Sequence, residues 1–154
     1  MLIWSGLDEW RAEIAHVDTD GGKLSASGTQ IGIAYELRYE LSDRLLRLDV
    51  VGGRSREIDV GDADFFDLAF SPLLNSLPVL RDRLLDPRPP RDYVMAFVDV
   101  PSLEVSRAEQ RYEPIGNRIV RFRSGDFTAD LEYDDDGFVV RYPGLAERQY
   151  PPPP

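Results

Sequence analysis

Apolar and polar residues alternate with a period of two along much of this chain. The pattern is clearest from Gln30 to Ser42. There Ile31, Ile33, Tyr35, Leu37, Tyr39 and Leu41 take every second position, with Gln30, Glu36, Arg38 and Glu40 between them. Such a run gives a strand one apolar and one wet face, whereas a helix would scatter the six residues around its circumference. Ser42-Asp43 signals a turn. Leu46, Leu48 and Val50 then alternate with Arg47 and Asp49, and Gly52-Gly53 breaks that second strand. Ile58 and Val60 suggest a third short strand before Gly61.

The C-terminal third repeats this style. Tyr93 to Val100 is rich in β-formers and stops at Pro101, and an alternating run from Leu103 and Val105 extends toward Tyr112. Arg118 to Arg123 predicts a strand, turned by Ser124-Gly125-Asp126. Phe127, Ala129, Leu131 and Tyr133 form the next, and Phe138, Val140 and Tyr142 the last. Asp136-Gly137 is a hairpin signal, because both central positions of such a turn take positive φ. Trp10, Ala12 and Ile14 fit a strand over Trp10 to Val17, although Trp4, Leu7, Trp10 and Ile14 also fit a helical face. Ser76 to Leu85 reads as a helix. Ser76 is suited to cap it, Pro78 lies near the first turn, and Asp86-Pro87-Arg88-Pro89-Pro90 ends it.

These elements predict a mainly antiparallel β domain over residues 1–148 with one short helix. The expected form is a curved barrel-like or half-barrel sheet of many short strands, with a two-sheet sandwich as the alternative. A proline-rich tail, 149–154, follows. The N-terminus has neither a basic start nor a sustained apolar run. No stretch approaches the ~18 apolar residues of a membrane span, so a cytoplasmic chain without a span is expected.

Composition narrows the chemistry. Twenty-eight acidic residues against 18 basic ones give a net charge of -10, which repels phosphate backbones and argues against nucleic-acid partners. Cys is absent and His16 is the single histidine, so thiolate chemistry is excluded and a His-based metal site is not expected. The run Asp59, Asp62, Asp64, Asp67 does not follow an EF-hand spacing and reads as a solvated loop. No phosphate-binding glycine motif or serine nucleophile elbow is present, and no cofactor is expected. Of the 18 basic residues all but Lys23 are Arg. Arg81 and Arg83, after a turn-rich stretch, are candidates to hold an anionic head group.

The segment Phe66 to Val79, FDLAFSPLLNSLPV, resembles the D-L-x-x-S-P-x-x-N-T-L-P-I signature of the Putative glycolipid-binding family, formerly a domain of unknown function. Pro101-Ser102-Leu103 with Gln110-Arg111-Tyr112 is similar to its P-x-L…Q-x-Y stretch. Phe127 to Gly137 resembles its F-x-A-x-L-x-x-D-x-x-G hairpin, and Tyr142-Pro143-Gly144-Leu145 with Arg148 its closing Y-P-x-L-x-x-R. The resemblance covers residues 66–148 and implies a curved, barrel-like sheet of short antiparallel strands. It also implies a non-enzymatic protein holding a lipid or glycolipid.

On that expectation the apolar face of strand 31–41, with Phe97, Phe122 and Leu131, lines a cavity. Asp67, Ser71, Asn75, Gln110 and Tyr112 offer polar contacts at its mouth. The same polar residues also suit a purely structural role, because Asx and Ser side chains stabilise irregular connections. Two other function classes stay open at this point. One is a small enzyme acting on a sugar or lipid through a buried carboxylate, and the other is an interaction module using an exposed apolar patch.

Overall fold

The computed structural model describes residues 1–154. Thirteen strands share one sheet: β1 (Leu2–Gly6), β2 (Ala12–Asp20), β3 (Lys23–Ile31), β4 (Glu36–Leu41), β5 (Leu45–Val50), β6 (Ser55–Asp59), β7 (Phe65–Leu68), β8 (Arg91–Val98), β9 (Val105–Gly116), β10 (Ile119–Ser124), β11 (Phe127–Tyr133), β12 (Val139–Tyr142) and β13 (Ala146–Tyr150). Their spatial order is β6-β5-β4-β3-β2-β1-β13-β12-β11-β10-β9-β8-β7. Two meanders, one from each half of the chain, are therefore joined where β1 pairs with β13. Every pairing is antiparallel except β7 on β8. That parallel pair needs a crossover, and residues 69–90 supply it through a 3-10 turn, Leu73–Ser76, running into a short helix α1, Leu77–Asp82.

The sheet curves without closing. β6 and β7 are its ends and share no ladder. The free edge of β6 is instead held by arginine caps: Arg56 donates to the Leu103 carbonyl at 2.9 Å and Arg54 to that of Ser102 at 3.4 Å. Accumulated strand twist rolls the apolar face inward, and the crossover fills the trough. β7 is consequently buried on both faces. Phe66 and Leu68 join the larger apolar cluster, built mostly from the N-terminal meander, while Phe65 joins the smaller one under β8–β12. Phe65, Tyr93, Tyr112 and Phe122 stack edge to face across four neighbouring strands, with ring centroids 5.4, 5.7 and 5.3 Å apart.

Four expectations from the sequence are corrected. The run from Gln30 to Ser42 is two strands, not one. Gly32 to Tyr35 turn the chain, with the Gly32 N–H donating to the Tyr35 carbonyl at 3.0 Å, and Ile33 stands exposed at the tip. Position 32 admits this because a Cβ there would lie 2.5 Å from the Tyr35 ring. In β2 the buried parity is Glu13 and Ala15, not Trp10, Ala12 and Ile14, and Trp10 is exposed. The acidic stretch read as a loop contains β7, with Asp67 buried within it. The helix is shorter than Ser76 to Leu85. It ends at Asp82 because Arg83 takes the left-handed conformation, φ 53°. Ser76 makes no helix cap, and its Oγ instead accepts from the Val139 N–H at 3.3 Å.

Candidate functional site

The crossover places polar groups in the interior, where each must find a partner. Glu13, from β2, is the first joint. Its Oε1 accepts from Tyr39 at 2.7 Å and from Ser71 at 2.6 Å, and its Oε2 from the Leu73 N–H at 3.4 Å. Gly28 lies opposite Tyr39 in the β3–β4 ladder. A Cβ there would sit 2.3 Å from the ring, so glycine leaves the space through which the hydroxyl reaches Glu13. Burial pushes the Glu13 carboxyl up from the ordinary 4.5 to about 7, against the hydrogen bonds that favour its charge. A second joint is Gln30, which donates to the Ala69 carbonyl at 2.9 Å and accepts from Tyr35 at 2.7 Å.

Asp67 shares a face of β7 with Phe65 and so points toward the C-terminal meander. Gln110, on β9, donates to its Oδ2 at 2.6 Å, and the Leu68 N–H donates to its Oδ1 at 2.9 Å. Burial raises its carboxyl from 3.8 to about 6, with those two bonds pulling the other way. The Asn75 side-chain amide donates to the Tyr112 hydroxyl at 3.0 Å, and the Asn75 backbone carbonyl accepts from the Tyr133 hydroxyl at 3.0 Å. The Tyr112 hydroxyl in turn points at Gln110 Oε1, 3.4 Å away.

A cleft of about 610 Å³ opens above this cluster. That volume is within the roughly 300–1,000 Å³ of small-molecule sites. Asp67, Ser71, Asn75 and Gln110 line it together with Phe97, Phe122, Phe127 and Tyr142, with Phe97 beside Asp67 in the β7–β8 register. Ala108 on β9 and Ser124 on β10 also line it. Phe122, Phe127 and Tyr142 touch one another, with centroids 6.2–6.3 Å apart.

Five of the seven residues expected from the sequence thus converge: Asp67, Ser71, Asn75 and Gln110 line the cleft, and Tyr112 braces two of them from behind. Arg81 and Arg83 do not join them. Arg81 lies over the Phe65 ring, 4.0 Å from its centroid, and pairs with Asp82, while Arg83 is exposed and pairs with Asp86. The expected lining also shifts. Phe97 and Phe122 contribute, but Leu131 and, from the stretch 31–41, Leu37, Tyr39 and Leu41 are enclosed in core clusters instead, while Ile33 faces solvent. Glu13 and Gln30 escaped sequence reading, although both share their strand's buried parity, Glu13 with Ala15 and Gln30 with Ala26.

A second depression, about 630 Å³, lies on the outer face of β2–β5. His16, Ser27, Arg38, Glu40, Arg47 and Asp49 line it. These are solvated strand positions, with Arg47 paired to Glu40 and Glu57, and no buried polar group faces it. No three His, Asp or Glu side chains converge to hold a metal ion, and no helix is long and apolar enough to cross a membrane.

No curated protein matches the chain by sequence. The crystal structure of a DUF1089 family protein from Pseudomonas aeruginosa matches with a TM-score of 0.68 at 19% identity, covering 89% of this chain and 92% of that one. At that identity the likeness is one of fold: a large curved sheet with one short helix. The family model described as Putative glycolipid-binding matches residues 48–148, and the chain belongs to that family.

Proposed function

We propose that this chain is a non-catalytic binding protein whose cleft over β8–β12 takes a lipid or glycolipid, the alkyl portion against the aromatic wall and the head toward Asp67, Asn75 and Gln110. The observation that carries this reading is the pairing, within one cleft, of an aromatic lining, exposed at Phe127, with buried polar groups that keep unused hydrogen-bonding capacity. The family description points the same way.

A buried carboxyl near neutrality, Asp67, favours an enzyme as a second reading. Acid–base hydrolysis calls for a second reacting group facing the substrate. Glu13 is sealed behind Ser71 and Tyr39, the Ser71 hydroxyl is committed to Glu13, and Asp8 and Asp99 stand exposed at the rim. Binding without turnover fits this arrangement better.

Calorimetry with a homologous series of alkyl glucosides tests the proposal. Each added methylene should tighten binding about fourfold, the equivalent of roughly 0.8 kcal/mol per CH₂, until the cleft is full. Affinity independent of chain length, or release of free sugar on incubation, would overturn it.

A further inference from the structure

We infer that the polar end of this cleft selects an uncharged, hydroxyl-bearing head and turns away anionic heads such as phosphate, sulfate or carboxylate. The inference rests on the cleft being an amphiphile site.

Charge is the first support. Three carboxylates line the cleft, Asp8, Asp67 and Asp99, and no Arg, Lys or His does so. In a chain with 18 basic residues that bare wall matters. Arg11, whose guanidinium stacks on the lining residue Phe70 at 3.8 Å, is paired with Glu9, so its charge is already matched. The lining itself therefore holds no cation to neutralise a bound anion. At an effective dielectric of about 20, like charges some 5 Å apart repel by roughly two orders of magnitude in affinity, and salt reduces this.

Hydrogen-bonding capacity is the second. Asp67 uses two of its roughly four acceptor sites, one for Gln110 and one for the Leu68 N–H. Asn75 Oδ1 has no protein donor, yet no fully enclosed side-chain polar atom lacks a partner, so Oδ1 opens into the cleft. One N–H each of Gln110 and Asn75 stays free. The unused set is therefore acceptor-rich with some donors. A hydroxyl donates and accepts and can satisfy both. An ionised phosphate only accepts and would leave the acceptors facing its own oxygens.

Ring geometry separates a neutral head from a cation. Phe122, Phe127 and Tyr142 lie in mutual contact, centroids 6.2–6.3 Å apart. Phe122 and Tyr142 are buried and Phe127 alone of the three is exposed, so an ammonium group would meet one accessible ring and not an enclosing set of them.

Three probes of equal chain length test this: octyl glucoside, octyl phosphate and octyltrimethylammonium, each below its micelle concentration, titrated calorimetrically into the full chain at pH 7.5 and low salt. Expected is glucoside binding at least about tenfold tighter than phosphate. In Asp67→Asn, whose fold is checked by its thermal transition, the gap should narrow from both sides. Phosphate binding as tightly as glucoside overturns the inference while leaving the amphiphile reading standing, and so does tightest binding by the ammonium probe. No binding by any of the three overturns the amphiphile reading itself.

Discussion

Replacing Glu13 by Gln removes one ionisable group from the joint that fastens β2 to the crossover, and it keeps nearly the same shape. In the folded chain this carboxyl titrates at about 7, against 4.5 ordinarily, because burial penalises its charge. Between those two values the folded state binds more protons at this site than the unfolded state does. The stability associated with Glu13 is therefore fully present below pH 4.5 and is lost as pH rises through about 7. That interval, at about 1.4 kcal/mol per pH unit, amounts to about 3 kcal/mol by pH 8. Gln cannot ionise and escapes this loss. Its Oε1 can still accept from Tyr39 and Ser71, but its amide nitrogen meets the Leu73 N–H, donor against donor, at a cost of about 1 kcal/mol. Glu13→Gln should thus be less stable than the parent by about 1 kcal/mol at pH 4.5 and more stable by about 2 kcal/mol at pH 8. Urea titrations across this range, followed through buried Trp4, measure the difference directly. A difference that stays constant within about 0.5 kcal/mol over that range would refute the reasoning, whatever its sign.

Other substitutions probe separate parts of the structure. Gly28→Ala drives a Cβ to 2.3 Å from the Tyr39 ring and should lower stability by about 1–3 kcal/mol, and an unchanged urea midpoint would contradict this. Arg148→Met strips the buried partner from Asp134, whose Oδ1 also receives the Asp136 and Phe138 N–H groups. A loss of about 3–5 kcal/mol is expected in thermal melts, and an unaltered transition would sink the claim. Phe127→Ala, at a half-exposed position on the cleft wall, should weaken octyl glucoside binding by about 1 kcal/mol, roughly fivefold, while leaving the fold intact. Equal affinity in calorimetry would remove Phe127 from the site.

The hairpins were legible because period-two patterning and turn residues are local. Phe127, Ala129, Leu131 and Tyr133 alternate as expected, and β11 spans those residues. What stayed hidden was non-local. The chain from Gln30 to Ser42 keeps its alternation straight through a turn, and only Gly32, which gives the Tyr35 ring its space, marks the break. β7 reads as an acidic loop because both its faces are covered by parts of the chain distant in sequence, and Asp67 is tolerated there through Gln110, 43 residues away. Glu13 has the wrong polarity for its parity, and its hydroxyl partners come from two other elements. The family signature identified Asp67, Ser71, Asn75, Gln110 and Tyr112 together. Their distances show that Ser71 and Tyr112 serve the joint and the bracing, while Asp67, Asn75 and Gln110 retain capacity toward the cleft.

Backbone amide NMR during a titration with octyl glucoside tests the central claim most directly, because the two depressions have similar volumes but lie over different strands. Shift changes should concentrate at Asp67, Phe97, Ala108, Gln110, Phe122 and Phe127. Changes confined to His16, Ser27, Arg38 and Arg47, or no changes at saturating ligand, would contradict it.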